Sequence, residues 1–240
     1  IIEKKAHYEG YKEKNKIGIK MVKRIYSFVY RNFKAYLNKK SLSDNGERVD
    51  YNYNGKLNFK KLDMYQINHI YRYLFARELI KREAIVGDFA CGTGYGSNIL
   101  SENAESVIGI DINKKVIDKI KKRYKKNRKV SFLSANLLDL DYKNKFDFII
   151  SFETIEHLEE SNIKFLFNKF YKALKNGGVI IFSTPFMQEK TKEAIEMGFH
   201  LTFNINEEKI INWLKETNFK HQYFKYQNYE THKIEDNLSK

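Results

Sequence analysis

The chain has 240 residues, 42% of them hydrophobic, with a single cysteine and a net charge of +14. That length and apolar content fit one domain with an appendage. The lone Cys91 excludes a disulfide framework or a cysteine-rich zinc site and suits a reducing cytoplasm, and no apolar run reaches the ~18 residues that would span a membrane.

The charge is uneven. Residues 1–40 hold twelve Lys or Arg against three Glu, a net +9. The chain starts at Ile1, with neither an initiator Met nor a signal-peptide pattern, which reads as a piece of something longer. Within residues 1–40, Ile17, Met21, Ile25, Phe28, Val29, Phe33, Tyr36 and Leu37 recur at helical spacing, with lysines and arginines between them. This predicts a basic amphipathic helical extension that packs on the core or forms a homodimer contact, in preference to lying on a membrane. Residues 41–83 read as a polar linker or lid followed by a helix from Leu62 to about Arg82, with Tyr65, His69, Tyr73 and Leu74 near one face.

Residues 84–240 form the expected core. Strands are predicted near 84–89, 106–110, 129–133, 146–151 and 178–183, and helices near 95–103, 113–127, 161–175 and 206–217. The alternation implies an α/β fold, a doubly wound and mostly parallel sheet. A last strand near 219–227 is expected to complete the sheet edge.

The most informative stretch joins the first two core strands. Val86 to Phe89 runs into Ala90-Cys91-Gly92-Thr93-Gly94, and Val107 to Ile110 ends in Asp111, roughly 20 residues past the glycines. Glycines let the backbone approach a ligand closely, and a carboxylate at the end of the second strand can accept both hydroxyls of a ribose. Cys91 reads as a small turn residue, not a nucleophile. The run Asp88-x-Ala90-x-Gly92-x-Gly94 resembles motif I of class I S-adenosylmethionine-dependent methyltransferases, with alanine in place of the first glycine. It does not fit the Gly-x-Gly-x-x-Gly spacing of dinucleotide-binding domains. The resemblance implies a Rossmann-like fold, S-adenosyl-L-methionine as cofactor, and a cofactor site drawn from Asp88, Ala90, Gly92, Gly94, Asp111, Ile112 and Phe152. It also implies an adenine contact after the third strand. There the matching residue is Asn136, with the Leu137 N–H beside it and Asp139 as the competing candidate. The family's antiparallel seventh strand is expected to be poor or missing.

Chemistry is expected past the fourth strand, in Ser151-Phe152-Glu153-Thr154-Ile155-Glu156-His157. Ligands bind beyond the carboxyl ends of parallel strands, and Glu153, Glu156 and His157 at i, i+3, i+4 would share one helical face. With His200, which follows the fifth strand, they make a credible set for Fe, Mn or Mg. The alternative is a metal-free site with His157 as general base. The Glu-x-x-Glu-His run with a distant histidine resembles the metal site of small-RNA 2′-O-methyltransferases, and ubiquinone-pathway O-methyltransferases have a similar stretch.

The order of Gly46-Glu47-Arg48, His69-x-x-Arg72-Tyr73, the glycine turn, Ser183-Thr184-Pro185 and Phe199-His200-Leu201 resembles bacterial methyltransferases of capsule and O-antigen gene sets. The proline that commonly follows Gly-Glu-Arg is absent. This resemblance implies methylation of a sugar or nucleotide-linked sugar hydroxyl in the cytoplasm, with Glu156 and His157 catalytic. Alternatives are a metal-dependent RNA enzyme using the basic runs at the N-terminus and at Lys119–Lys129, a quinone-type O-methyltransferase, and a scaffold that binds cofactor without turnover. Specific nucleic-acid binding is not expected, since such runs are more often a solvated helix face.

Overall fold

The computed structural model describes residues 2–4, 48–60, 62–215, 217–219 and 222–237. In chain order the elements are β1 (Ile2–Lys4), α1 (Met64–Leu79), β2 (Ile85–Phe89), α2 (Tyr95–Leu100), β3 (Ser106–Asp111), α3 (Lys114–Arg123), β4 (Val130–Ser134), β5 (Phe146–Phe152), α4 (Glu160–Ala173), β6 (Leu174–Ser183), β7 (Pro185–Phe186), α5 (Lys192–Met197), α6 (Glu207–Leu214), β8 (Tyr226–Gln227) and β9 (Ile234–Glu235). Short 3-10 turns follow β4 (Leu137–Asp139) and β5 (Ile155–His157).

Local signals set the helix starts. Asp63 and Gln66 exchange side-chain and backbone hydrogen bonds in a capping box that opens α1. Asn113 and Asn206 accept backbone N–H groups at the starts of α3 and α6. The expected strands and helices of the core are found, with ends that move by a few residues.

The main sheet has the order β4-β3-β2-β5-β6, with every pairing parallel. Its strands carry apolar side chains on both faces. Phe146 and Ile149 of β5 join Phe89 and the α4 and α6 residues Ile163, Phe167, Phe170 and Trp213. Ile150 packs on the other side with Val86, Val107, Ile99 and Leu100, together with Ile70 and Tyr73 of α1. A third cluster seats Val116, Ile117 and Ile120 of α3 against Phe132 and Cys91. Helices therefore cover both faces, as a fully buried parallel sheet requires. The chain runs outward from β2 through β3 to β4, then returns to β5 on β2's other side. This places the topological switch point between β2 and β5, at the ends that carry Asp88 and Phe152.

Two expectations change. The strand predicted over 219–227 to complete the sheet edge is only Tyr226–Gln227, and it lies in a separate small sheet of order β7-β1-β8-β9. The reason is polar: Gln227 is 2% exposed and hydrogen-bonds the Asn68 carbonyl and the Arg72 guanidinium of α1. These bonds tie it to α1, away from the edge of β6. Residues 2–4, inside the expected helical extension, are a strand parallel to β7 and β8. The helix predicted from Ile17 to Leu37, and with it the expected homodimer contact, lies outside the described residues.

Candidate functional site

The turn between β2 and α2 is built on left-handed backbone. Gly92 has φ +53° and Gly94, the N-cap of α2, has φ +75°. A Cβ on Gly92 would meet nothing within 4 Å, so the turn leaves open space above its backbone. Ala90, at the motif's missing glycine, also has φ +63°, a conformation that costs an L-residue about 1–2 kcal/mol. Cys91 is 3% exposed and burial pushes its thiol well up, so it is a packed turn residue.

Beneath the turn lies Asp88, fully buried, accepting hydrogen bonds from Tyr73 Oη at 3.0 Å and Ser97 Oγ at 2.6 Å. Burial raises its pKa to about 7, against the lowering effect of those two hydroxyls. Its partners lie behind the turn, so it braces the motif from below.

Asp111 is 5% exposed at the end of β3. It accepts the Gly92 N–H at 3.0 Å and the Asn113 N–H at 2.9 Å, and its Oδ1 pairs with Arg48 at 3.2 Å. The carboxylate is thereby fixed beside the glycine turn. Ile112, the next residue, is 66% exposed, an apolar surface suited to one face of an adenine ring. Asn136 caps the first 3-10 turn through Oδ1, which accepts the Leu138 N–H at 3.0 Å. The side-chain carbonyl expected to receive an adenine amino group is thus engaged locally, while Leu137 begins the turn beside it. Asp139 ends the same turn.

Sequence reasoning assigned no role to Arg48. Its segment crosses α2 and the turn: Thr93 Oγ1 donates to the Val49 carbonyl at 2.7 Å, Arg123 pairs with Asp50 at 2.7 Å, and Asn98 donates to the Tyr53 carbonyl at 3.1 Å. The signal was present in Gly46-Glu47-Arg48, but its partner Asp111 is 63 residues away. His69 lies in α1. It contacts the Tyr95 hydroxyl through Nδ1 and packs near Tyr73 and Phe152. Burial, with the Arg72 charge adding, pushes its pKa down to about 3, so it is neutral at physiological pH.

Past β5, Phe152 is 3% exposed, edge-on to Tyr73 at 4.9 Å between ring centroids. The residues that follow do not form the helical face predicted from spacing. Glu153 is left-handed, φ +50°, and lies outside the 3-10 turn that holds Glu156 and His157. Its carboxylate receives Ser183 Oγ–H at 2.6 Å and pairs with Arg72 at 3.1 Å. Glu153 is not among the three residues whose ligand atoms lie together past β5.

The structure does bring Glu156, His157 and His200 together: one ligand atom from each lies within 4.8 Å of the others. Glu156 is 1% exposed, and its Oε2 accepts Thr184 Oγ1–H at 3.0 Å. Its backbone carbonyl accepts the N–H groups of Leu201 and Thr202 at 2.8 and 3.1 Å, which draws the loop carrying His200 onto the turn. His157 Nδ1 lies 2.7 Å from the Phe199 carbonyl. A carbonyl can only accept, so Nδ1 carries the proton and Nε2 of the neutral ring keeps its lone pair. That Nε2 is 4.0 Å from Glu156 Oε1, and the two imidazole centroids are 5.0 Å apart. Ligands 2.0–2.2 Å from one ion stand up to about 4.4 Å from each other, so small side-chain shifts suffice. A backbone carbonyl on Nδ1 is the usual way a ligating histidine is held. The donor set fits a divalent cation.

The basic run Lys119–Lys129 lies on α3 and the turn after it, where Lys129 Nζ donates to the Ser101 and Ala104 carbonyls and Arg123 pairs with Asp50. Among the described residues, no helix is long and apolar enough to cross a membrane.

Residues 86–178 match the protein family described as Methyltransferase domain. The chain is 32% identical over 128 residues to the ubiquinone biosynthesis O-methyltransferase of Pelagibacter ubique, covering 53% of this chain and 49% of that one. It is 28% identical over 200 residues to the ubiquinone biosynthesis O-methyltransferase of Rickettsia prowazekii, covering 79% and 72%. It thus spans about half the length of the first of these relatives. Among solved structures, the cyclase SpnF shares the fold with a TM-score of 0.56 at 15% identity, covering 81% of this chain and 69% of that one. Fold alone does not decide the reaction; the residues lining the site must.

Proposed function

We propose that the chain, whose residues 86–178 match a methyltransferase domain, uses S-adenosylmethionine to methylate a hydroxyl oxygen of a small acceptor, a hydroxylated ring of the ubiquinone-precursor kind. The observation that carries this reading is the Glu156, His157 and His200 cluster beyond the ends of β5 and β7. Two similar proteins named as ubiquinone biosynthesis O-methyltransferases support the acceptor class. The sugar acceptor and the capsule role expected from motif order draw no support from these relatives.

S-adenosylmethionine supplies an electrophilic methyl group on a sulfonium. Asp111, held by two backbone N–H groups, would accept ribose hydroxyls. Gly92 would leave room for the amino-acid end, and Ile112 and Leu137 would border the adenine. Transfer also needs an oxygen that has lost or shared its proton and lies in line with the methyl. Glu156, His157 and His200 would hold a divalent cation, and two imidazoles in the set favour Fe²⁺ or Mn²⁺ over Mg²⁺. Bound there, the cation would act as a Lewis acid and lower the pKa of an acceptor hydroxyl. His157 Nε2 cannot both ligate and take a proton, so the cation reading replaces the general-base reading.

The test is turnover of S-adenosylmethionine against a panel of a catechol, a nucleotide sugar and a short RNA, with and without chelator. We expect methylation of the catechol, loss of activity in chelator and its return with Mn²⁺. Full activity in chelator would restore His157 as simple base, and methylation of the nucleotide sugar alone would restore the sugar acceptor.

A further inference from the structure

Three donors converge on Asp111, and a carboxylate has about four lone-pair sites in all. Oδ1 accepts the Asn113 N–H at 2.9 Å and Arg48 Nη2 at 3.2 Å, and Oδ2 accepts the Gly92 N–H at 3.0 Å. Oδ1 is therefore filled, while Oδ2 keeps one place. A ribose presents two adjacent hydroxyls, one to each carboxylate oxygen. Its arrival would raise the donors above what the carboxylate can accept, so one of the three must leave.

Two of the donors are fixed backbone groups. Gly92 sits in the left-handed turn, which is pinned by the Cys91 N–H on the Ile110 carbonyl at 2.9 Å and the Gly94 N–H on the Cys91 carbonyl at 3.0 Å. Asn113 is the N-cap of α3, its side chain accepting the Val116 N–H. Moving either N–H means undoing a turn or a helix start. Arg48 donates from a side chain that is 20% exposed, against 6% for Asp111. It can rotate into water, where a guanidinium loses little by giving up an ion pair. Its backbone need not follow. The Val49 carbonyl accepts Thr93 Oγ1–H, Asp50 pairs with Arg123, and Tyr51 is buried edge-on to Tyr95.

We propose that cofactor binding is an exchange at Asp111, in which Arg48 leaves Oδ1 as a ribose diol takes its place. Arg48 acts through Asp111, as a competitor for one lone pair. It lowers affinity for a nucleoside that carries both ribose hydroxyls. It leaves unchanged the affinity for one that carries a single hydroxyl, which fits the remaining place on Oδ2. This inference rests on the reading that the ribose of the cofactor lies at Asp111.

The probe is adenosine, which has the ribose and no charge, with 2′-deoxyadenosine and 3′-deoxyadenosine beside it. Their affinities are measured by displacement of S-adenosylhomocysteine from the wild type, Arg48→Met and Asp111→Asn, with circular dichroism to show that each protein is folded. For Arg48→Met we expect adenosine affinity to rise roughly three- to tenfold, while both deoxynucleosides stay within twofold of wild type. A second arm needs no variant. Salt weakens the ion pair, so wild-type affinity for uncharged adenosine should rise between about 0.05 and 0.5 M salt, while that of Arg48→Met stays level. Unchanged or weaker adenosine binding in Arg48→Met, or a flat salt response in the wild type, overturns the exchange. An equal gain for the deoxynucleosides also overturns it, since Arg48 would then be a steric block. Asp111→Asn separates the exchange from the reading beneath it. If that variant weakens adenosine binding while Arg48→Met does not strengthen it, the ribose lies at Asp111 and only the exchange fails. If adenosine affinity is the same in all three proteins, the ribose placement fails and the exchange with it.

Discussion

Replacing Asp111 with asparagine keeps the shape of the side chain and removes its charge. The carboxylate accepts from Gly92 N, Asn113 N and Arg48, at 3.0, 2.9 and 3.2 Å, and ribose hydroxyls would add to these. Asparagine has one acceptor oxygen, and its NH₂ must face at least one of these donors. A hydrogen bond to a charged partner contributes about 1.5–3 kcal/mol. Asp111 is 5% exposed, so solvent does little to soften the loss. One such bond lost from the complex corresponds to roughly a 10- to 160-fold weaker affinity. Calorimetric titration with S-adenosylhomocysteine measures it, with circular dichroism to show that the variant is folded. Affinity within twofold of wild type in a folded variant would refute the placement of the ribose at Asp111.

Two further outcomes concern stability. Asp88, raised to about 7, keeps its proton in the folded chain over a range where the unfolded chain has lost it. Stability should therefore fall as pH rises from about 4 to about 7 and then level; Asp88→Asn should flatten that fall in denaturant titrations, and an unchanged pH profile would show Asp88 ionised throughout. Gly96 lies against the Tyr73 ring, where a Cβ would come within 2.1 Å of it. Gly96→Ala should cost about 1–3 kcal/mol by overpacking, which lowers Tm by roughly 2–12 °C in a chain of this size; an unchanged Tm would mean that the ring moves freely.

Much of this protein was legible in its residues. Apolar strand runs alternating with helical periods, punctuated by caps such as Asp63 and Asn113, specify a parallel sheet, because each element's period is local. The glycine turn and Asp111 were legible for the same reason: left-handed turns demand glycine, and a strand ends where its pattern ends. Spacing alone failed at Glu153. Three acidic and imidazole residues at i, i+3, i+4 share a face only in a helix, and the left-handed residue after β5 breaks that geometry before the 3-10 turn begins. What turned Glu153 away was Arg72, 81 positions earlier, and what brought His200 to Glu156 was a carbonyl accepting the N–H groups of Leu201 and Thr202. Likewise Gln227 left the sheet edge for α1, drawn by Asn68 and Arg72. Buried polar groups must find partners, and partners so distant in sequence leave no periodic trace in it. The sequence by itself determined the sheet, the turn and the candidate chemistry; tertiary structure decided which carboxylate faces the imidazoles and which faces an arginine.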